Sequence, residues 1–592
     1  MSDDTKSEQP APTANGAKNE VVWGRIVIAG GTDWPSVGKK DKGGQSAVDQ
    51  DAHPDLYEPH VLRPLCNVRI VSVHGSPCGS HFVAIDYHGV AWLWGRNGSS
   101  CLGVDSETTP ALYCDSPRRL TAAELNAPRG TRFVHAALGR HHTLLVGSGG
   151  QVWSAGLNAL AQCGHPPSKS EIKTFTLIEN LPTLNGKPDR IVQASAGITF
   201  SALLTESGRV YTFGSGEHGQ LGNGRTGEQL GLNRKIVFDV VEEPAPIQGL
   251  DGKHVEQIAS GNQHSIALTK DGLVYTWGSG GYCRTGLSNQ ETAMTAKLVS
   301  APFTGEHEET RAWKVFAGPT NSIVIDRQRM LWICGKWKLT GDGSAGATYT
   351  TFKHINDLTA CKVVTAASGG VTHFAVCPDD EPAEDAPADA TMIVAWGQNA
   401  SHGELGLGND APLSATKPAK IEPLQGVQVI AVAAGQHSTV FLAKPGNELS
   451  SLPRHPHVDA PTECIVCGKD KGEDDSPLEC EKCETPYHLG CLNPPLSKVP
   501  DDEWFCEKCG ASVSFPDIES TPEPAPVPAP KEAVKPVANG AVAHEEAPPA
   551  APKDGDAAPA APANGESNGL KRKEPDEPGA GVEGDAKKQK TE

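Results

Sequence analysis

One repeat decides the fold and is clearest in residues 255–286, VEQIASGNQHSIALTKDGLVYTWGSGGYCRTG. Two β-forming runs, HSIALT and LVYTWG, flank the turn sequence KDG, a pattern typical of a β-hairpin. Related units end at Gly164 and Gly222. Four short strands per unit, repeated about an axis, predict a β-propeller over residues 21–444. The glycine of the WG segment recurs 57–65 residues apart and predicts seven blades: Gly30, Gly95, Gly156, Gly214, Gly278, Gly335 and Gly397.

The two ends of this region predict how the ring closes. Residues 23–31, WGRIVIAGG, lack the strand pair that precedes the glycine in other units. Residues 429–444, VIAVAAGQHSTVFLAK, have that pair but no strand after it. We therefore expect the N- and C-terminal strands to form one blade together.

The units resemble the repeats of the regulator-of-chromosome-condensation family. The resemblance lies in the G-x-x-H-S/T motif of residues 139–143 and 261–265 and in the later segment VYTWGSGGYCRTG. The opening GRIVIAGGTDWPSVGKK and the segment AWGQNASHGELGLG look closest to the telophase-disc branch of that family. The resemblance covers residues 21–444 and implies the propeller fold.

The same resemblance implies an alternative, enzymatic function. The founding member of the family is a guanine nucleotide exchange factor for the GTPase Ran and uses acidic and histidine side chains around the shaft. None of the matching loop residues in this chain is acidic, so the resemblance implies exchange on another small GTPase, as in the telophase-disc branch. These loop residues are Ser80, His141, Gln263 and Thr320.

A set of recurring histidines has a simpler interpretation. They occupy equivalent loop positions in different units, which favours a hydrogen-bonded role in the fold, because a buried imidazole must find partners. The histidines are His81, His142, His264 and His373.

A cysteine-rich segment at residues 462–511 predicts a metal centre. Eight soft or borderline ligands in four close pairs are what two tetrahedral Zn²⁺ ions require. A segment of about fifty residues cannot build an adequate core alone, so metal binding should drive its folding. The predicted ligands are Cys464, Cys467, Cys480, Cys483, His488, Cys491, Cys506 and Cys509.

The order of these ligands resembles a PHD finger rather than a RING finger. The histidine is the fifth ligand, and Trp504 lies two residues before the seventh. The resemblance implies cross-braced ligation, in which the first and third pairs hold one ion and the second and fourth pairs hold the other. Because all coordination positions are filled, the two zinc ions are expected to be structural and not catalytic.

PHD fingers commonly bind the N-terminal tail of the third core histone by adding it as a strand to their sheet. The matching strand is 476–479, and its acidic neighbourhood would attract a basic tail. The run YHLGCLNPPLSKVPDDEWFC resembles fingers that bind the unmodified tail, in which carboxylates contact its arginine or lysine and carbonyls hold its amino terminus. The predicted tail-binding residues are Asp474, Asp475, Ser476, Leu478, Glu479, Glu481, Pro500, Asp501 and Trp504.

The remaining segments predict disordered ends, a linker and a nuclear import signal. Residues 1–20 and the Ala/Pro/Glu-rich residues 512–592 cannot bury enough apolar surface and are expected to be disordered. The Pro-containing residues 445–461 predict a linker that lets the finger move semi-independently of the propeller. Two basic clusters in the tail resemble a bipartite nuclear import signal: Lys571, Arg572 and Lys573, then Lys587, Lys588 and Lys590.

The net charge of −20, from 52 basic and 72 acidic side chains, argues against coating of DNA. We expect no direct sequence-specific DNA binding, and no apolar run is long enough to predict a membrane span. Together these features predict a non-enzymatic nuclear adaptor whose finger binds a histone tail and whose propeller binds a protein partner. The alternative is an exchange factor for a small GTPase that the finger targets to chromatin.

Overall fold

The computed structural model describes residues 21–37, 52–231, 234–336, 348–379, 389–470, 477–500 and 503–511. Both predicted terminal segments, 1–20 and 512–592, lie outside the described residues, and so do the two import clusters. Four predicted tail-binding residues also lie outside them: Asp474, Asp475, Ser476 and Asp501.

The repeats fold into seven antiparallel sheets, which confirms the predicted seven-bladed propeller. The described N-terminal part begins with β1 (Arg25–Gly30) and β2 (Leu56–Leu62). The next blades are formed by β3 (Ile70–Gly75), β4 (His81–Asp86), β5 (Ala91–Arg96) and the split fourth strand β6 (Ala111–Leu112) and β7 (Arg118–Leu120), then by β8 (Phe133–Leu138), β9 (His142–Gly147), β10 (Val152–Leu157) and β11 (Glu171–Leu177).

The middle blades follow the same order and carry two extra hairpins. A hairpin of β12 (Thr183–Leu184) and β13 (Lys187–Pro188) precedes the blade formed by β14 (Ile191–Ala196), β15 (Phe200–Thr205), β16 (Val210–Ser215) and β19 (Val240–Pro246). The second hairpin, β17 (Gln229–Leu230) and β18 (Ile236–Val237), is inserted within that blade. The next blade contains β20 (Val255–Ser260), β21 (His264–Thr269), β22 (Val274–Gly278) and β23 (Ala293–Leu298).

The last two complete blades lead to the C-terminal strand pair. They are β24 (Ala312–Ala317), β25 (Asn321–Asp326), β26 (Leu331–Gly335) and β27 (Tyr349–His354), then β28 (Thr365–Gly369), β29 (Thr372–Pro378), β30 (Thr391–Gly397) and β31 (Ala415–Lys420). The pair is β32 (Val429–Ala434) and β33 (Ser438–Ala443). Short 3₁₀ turns occupy Arg63–Leu65, Gly98–Ser100, Ala122–Leu125, Gly281–Cys283, Glu308–Thr310, Asn356–Leu358, Glu422–Leu424 and Leu489–Cys491.

The closing blade joins the two ends of the propeller as predicted. Its strand order begins β32-β33-β1-β2, so β1 lies between the C-terminal pair and β2. In the β1–β33 ladder Ile26 is paired with Leu442, and Ile28 with Val440. All four of these side chains are buried. Separation of the ends would therefore cost both backbone hydrogen bonds and apolar contacts.

The apolar core lies between neighbouring blades and not along the axis. Leu93 on β5 and Phe133 on β8, for example, belong to one buried cluster. Because each second strand is packed between two such clusters, β21 is buried at all six positions. A register shift near the start of most inner strands frees a side chain to cross to the next blade. Gln193 exchanges two hydrogen bonds with the backbone of Ile258, of 3.1 Å and 3.0 Å.

His81, His142 and His264 belong to these inter-blade contacts, and His373 Nδ1 lies 2.9 Å from Ser368 Oγ in its own blade, which confirms the predicted hydrogen-bonded role of the blade histidines. His264 Nε2 lies 3.0 Å from Ser322 Oγ on the next blade, and His142 Nε2 lies 2.9 Å from Ser201 Oγ. Burial, and after it the charge of Arg284, lower the pKa of His264 to about 3. The imidazoles of His81, His142 and His264, whose pKa values are all lowered by burial, are therefore neutral at neutral pH.

Residues 445–461 differ from the predicted flexible linker. They contain α1 (Asn447–Ser450) and β34 (Arg454–His455), and β34 adds a fifth, parallel strand to the closing blade beside β2. Leu449 and Leu452 are buried in the same core cluster as Phe441 of β33. The prediction of a semi-independent finger was wrong, because proline content says nothing about the buried Leu449 and Leu452.

Candidate metal centres and peptide-binding edge

The finger brings the eight predicted ligands together in two groups. Cys464, Cys467, His488 and Cys491 form one, and Cys480, Cys483, Cys506 and Cys509 form the other, with the donor atoms of each group within 4.8 Å of one another. The groups interleave along the chain, so the finger is cross-braced as the resemblance implied. The first ligand pair therefore shares a site with the third, and the second pair shares a site with the fourth.

The donor set fits two zinc ions. His488 presents Nδ1 to the first group, 3.3 Å from Cys467 Sγ and 3.9 Å from Cys491 Sγ. In the second group Cys483 Sγ lies 3.8 Å from Cys506 Sγ. Four donors per group match structural tetrahedral zinc, with no coordination position left for a reacting water. The ions would supply folding energy to the finger, and its surface would carry the binding function.

Backbone N–H groups stabilise the thiolates that such ions need. The His488 amide donates to Cys464 Sγ at 3.4 Å, and the Cys506 amide donates to Cys480 Sγ at 3.3 Å. Burial raises the pKa of Cys464, but hydrogen bonds from the amides of His488, Cys467 and Val466 lower it to about 6 overall.

A short hairpin of the finger carries the predicted peptide-binding strand. β35 (Leu478–Glu479) pairs with β36 (Pro486–Tyr487), and Leu478 faces Tyr487 in the ladder. Among the described residues β36 is the only strand that β35 contacts by pairing, so its second edge remains for another strand. Glu479 is exposed and Leu478 is half-buried on this edge.

The other predicted tail-binding residues have different surroundings. Trp504 packs edge-on against Tyr487, with ring centroids 5.4 Å apart, and is half-buried inside the finger. Pro500 is half-buried at the end of a described segment. Glu481 does not face open solvent: its carboxylate is ion-paired with Arg454 of β34, and its carbonyl accepts a 2.9 Å hydrogen bond from Arg454 Nε.

Sequence reasoning missed that the finger is fastened to the closing blade. Arg63, next to β2, donates to Glu484 at 2.8 Å and to the carbonyl of Lys482 at 2.9 Å. Arg25 of β1 donates to Glu503 at distances of 2.5–3.2 Å. All these groups are largely buried, so the pairs lie in an interface and not on an open surface. An arginine inside the apolar run RIVIAG was the one available signal.

Lys482 strengthens this contact from the side of the finger. Its Nζ donates to the carbonyl of Pro64 and to Asn67 Oδ1, both at 3.0 Å. Asn67 in turn donates to the carbonyl of Cys509 at 2.8 Å. The second zinc group therefore lies directly against the 3₁₀ turn that follows β2, and the described residues of finger and propeller belong to one compact unit.

The propeller shaft has a polar mouth. A cavity of about 280 Å³ is lined by loop tips from successive blades, including Asn262 and Pro319. Glu404 and His437 also line it, with Glu404 Oε1 3.9 Å from His437 Nδ1. Burial raises the pKa of Glu404 to about 7. Sequence reasoning found no acidic side chain at this end because Glu404 comes from a different loop.

Comparison with known families agrees with both parts of the architecture. Residues 33–441 match the RCC1-like domain. The chain belongs to the RCC1-like domain family. Residues 464–509 match the PHD finger, so this family member carries an RCC1-like propeller fused to a PHD finger.

The relatives cover most of the propeller. The protein RCC2 homolog of Danio rerio is 28% identical over 472 residues, which are 76% of this chain and 88% of that protein. Protein RCC2 of Homo sapiens is 27% identical over 438 residues, 72% of this chain and 77% of that protein. Among solved structures, Prp20p from Saccharomyces cerevisiae has a TM-score of 0.54 at 21% identity and covers 73% of this chain and 94% of its own, which supports the fold.

These matches indicate the general class of function. An RCC1-like propeller joined to a PHD finger is a chromatin-related or GTPase-regulating adaptor. Within the residues that the structure describes, no helix is both long and apolar enough to cross a membrane.

Proposed function

We propose that this protein is a nuclear, chromatin-associated adaptor. Its PHD finger binds the N-terminal tail of the third core histone in the unmodified state, and its propeller binds a protein partner. The observation that carries this proposal is the unpaired edge of β35 beside an exposed carboxylate, Glu479. Prp20p from Saccharomyces cerevisiae, which shares the propeller fold, is described as binding Gsp1p and histones, and this supports a chromatin setting.

The tail would extend the two-stranded sheet of the finger. Backbone groups on the open side of Leu478 and Glu479 would pair with the peptide, which gives affinity without sequence preference. Glu479 would attract a lysine or arginine of the tail by a charge-assisted hydrogen bond. This role follows from exposure, since Glu479 makes no ion pair with a described residue.

The unmodified state of the histone tail is favoured because the aromatic rings of the finger pack inside it and do not form a binding cage. A trimethyl-lysine needs ring faces around its ammonium group. Tyr487 and Trp504 pack against each other inside the finger. A carboxylate such as Glu479 instead forms its strongest hydrogen bonds with a primary ammonium, which methylation removes.

A peptide titration tests the proposal. The full chain is titrated with fluorescent tail peptides, unmodified and trimethylated at the fourth residue, and anisotropy is measured. We expect saturable binding that is several-fold weaker for the trimethylated peptide. Glu479→Lys should weaken binding about tenfold, since a charge-assisted bond is replaced by repulsion. Glu306→Lys, the same change at an exposed propeller residue, is the matched control. Absence of binding by both peptides would refute the histone proposal.

A second candidate is exchange activity on a small GTPase. The specific observation in its favour is the pairing of Glu404 with His437 at the mouth of the shaft, an acidic and a histidine side chain at the place where the family resemblance implies them. The full chain is added to small GTPases loaded with a fluorescent nucleotide, and release is followed. Acceleration that is lost in Glu404→Gln would support this candidate, and unchanged release would exclude it for the GTPases tested.

A further inference from the structure

A second, smaller cavity lies beside the mouth of the shaft. It has a volume of about 40 Å³ and lies between the β3–β4 loop, the end of β5 and the β8–β9 loop. Since one water needs roughly 10–15 Å³, this is room for about three waters or one small oxyanion. None of the described side chains that line it is a carboxylate. Besides the buried Cys78 and His81, the lining side chains that carry polar hydrogen atoms are Ser80, Arg96, Arg140, His141 and Gln436.

Ser80 provides an unused donor in this cavity. The residue is 3% exposed, and its Oγ has no hydrogen-bond partner among the described residues. Buried hydroxyl groups are normally satisfied, because an unsatisfied one costs about 1–3 kcal/mol. The unsatisfied hydroxyl therefore indicates that the cavity binds a ligand able to accept a hydrogen bond.

Two arginines make the cavity strongly cationic. Arg96 Nε donates to the carbonyl of Trp34 at 2.7 Å, and one of its Nη atoms donates to the carbonyl of Val37. The other Nη makes no hydrogen bond with a described residue. The side chain of Arg140 is exposed and makes no hydrogen bond or ion pair with the described residues. A guanidinium that is held in place but not neutralised is suited to a planar, charge-assisted contact.

The surrounding charges leave this pair largely uncompensated. Burial lowers the pKa of Arg96, and the charge of Arg140 adds to that effect. Burial also lowers the pKa of His141, followed by the charges of Arg140 and Arg96. Asp33 attracts Arg96, yet the two described side chains form no ion pair within 4.0 Å. An anion between the two arginines would relieve their mutual repulsion.

We propose that this cavity binds the phosphate group of a phosphate monoester. Arg96 and Arg140 would hold two phosphate oxygens, and the Ser80 hydroxyl and the Gln436 amide would donate to the others. The small cavity shares Arg140 and Gln436 with the 280 Å³ cavity at the mouth of the shaft. That larger space receives the organic part of the ligand. The phosphate belongs either to a small phosphorylated molecule or to a phosphorylated side chain of a partner protein.

Calorimetric titration of the full chain tests this site. The probes are inorganic phosphate, O-phosphoserine and AMP, with serine, which lacks the phosphate, as the matched control, all at constant ionic strength. We expect the three phosphorylated probes to bind and serine not to bind. Tighter binding of O-phosphoserine than of AMP assigns the site to phosphorylated side chains, and the reverse order assigns it to small phosphorylated molecules.

Three variants connect the binding to the cavity. Arg140→Ala and Ser80→Ala should each weaken phosphate binding, the first by about tenfold or more. Arg140 makes no side-chain bond with the described residues, so its removal should leave the fold intact, which the thermal unfolding midpoint checks. Arg209→Ala removes the same charge from an exposed turn of another blade and is the control. Failure of the native chain to bind any phosphorylated probe would overturn the proposal, and so would equal binding by Arg140→Ala.

Discussion

Single residues decide which carboxylates of the finger are available to bind a histone tail. Glu481 was predicted to contact a basic residue of the tail, but Arg454 of the same chain already holds its carboxylate and its carbonyl. A tail arginine would therefore have to displace Arg454 to reach Glu481. Glu479, one residue before the third ligand, has no such competitor among the described residues.

Removal of Arg454 should strengthen tail binding. Arg454→Ala frees Glu481 for the peptide, and an ion pair of this exposure contributes about 1 kcal/mol, so we expect about fivefold tighter binding in the anisotropy titration. The double variant Arg454→Ala with Glu481→Gln is the control and should lose the gain. Weaker binding by Arg454→Ala would show that this arginine supports the peptide site and does not compete for it.

A blade histidine should make stability depend on pH. His264 has a pKa of about 3 in the folded chain and about 6.5 when unfolded, so only the unfolded chain takes up a proton there between these values. The free energy of unfolding therefore decreases as the pH falls below about 6.5, by up to about 1.4 kcal/mol per pH unit for this group. His264→Gln is less stable at pH 7.5, since it disturbs a buried hydrogen bond, but lacks this decrease.

Urea unfolding of both proteins at pH 7.5, 6.0 and 5.0 measures the difference. The gap in unfolding midpoint between native protein and His264→Gln should narrow as the pH falls. His307→Gln changes an exposed histidine and should match the native protein at each pH. A gap that stays constant with pH would contradict a neutral, buried His264.

At the scale of elements, the sequence predicted regular features and missed irregular ones. The WG glycines predicted the blades because each occupies the same position in its sheet: Gly214 and Gly278 have φ of 113° and 98°, and a side chain there would meet backbone atoms at 2.5 Å. The zinc pairs were predictable because ligand spacing is a local property. The attachment of the finger was not, since Arg25 and Glu503 lie 478 residues apart.

The contact between the finger and the closing blade should depend on its ion pairs. Arg63→Glu places two like charges against each other in a largely buried interface with Glu484, which typically costs several kcal/mol. We expect faster proteolytic cleavage in residues 445–461. The exchanged pair, Arg63→Glu with Glu484→Arg, should restore part of the protection. Unchanged cleavage of Arg63→Glu would show that the apolar contacts of Leu449 and Leu452 are sufficient.

For the whole molecule, the contact between the finger and the closing blade links the two metal centres to the blade that closes the propeller. The finger lies against β1, β2 and β34, all in the blade that joins the two ends. Such a finger presents its peptide edge at a constant orientation to the propeller. A partner on the propeller and a tail on the finger would then be held at a set distance, which a flexible linker would not achieve.

Zinc removal should therefore destabilise the closing blade of the propeller. A chelator unfolds the finger, because its folding energy comes from the metal. Amide hydrogen exchange should then rise in β2 and β34, which lose their neighbours, and stay unchanged in β20–β23 on a distant blade. Equal exchange in β2 before and after chelation would indicate that the finger contributes nothing to the closing blade.

We propose above all that the finger, held against the closing blade, adds the histone tail to β35. Hydrogen exchange of the zinc-loaded full chain, with and without a saturating unmodified tail peptide, tests it most directly. We predict slower exchange at the amides of Leu478 and Glu479 on addition of the peptide, no change in β20–β23, and a smaller effect in Glu479→Lys at the same peptide concentration. Exchange at the amides of Leu478 and Glu479 that is unaffected by a bound peptide would contradict this pairing.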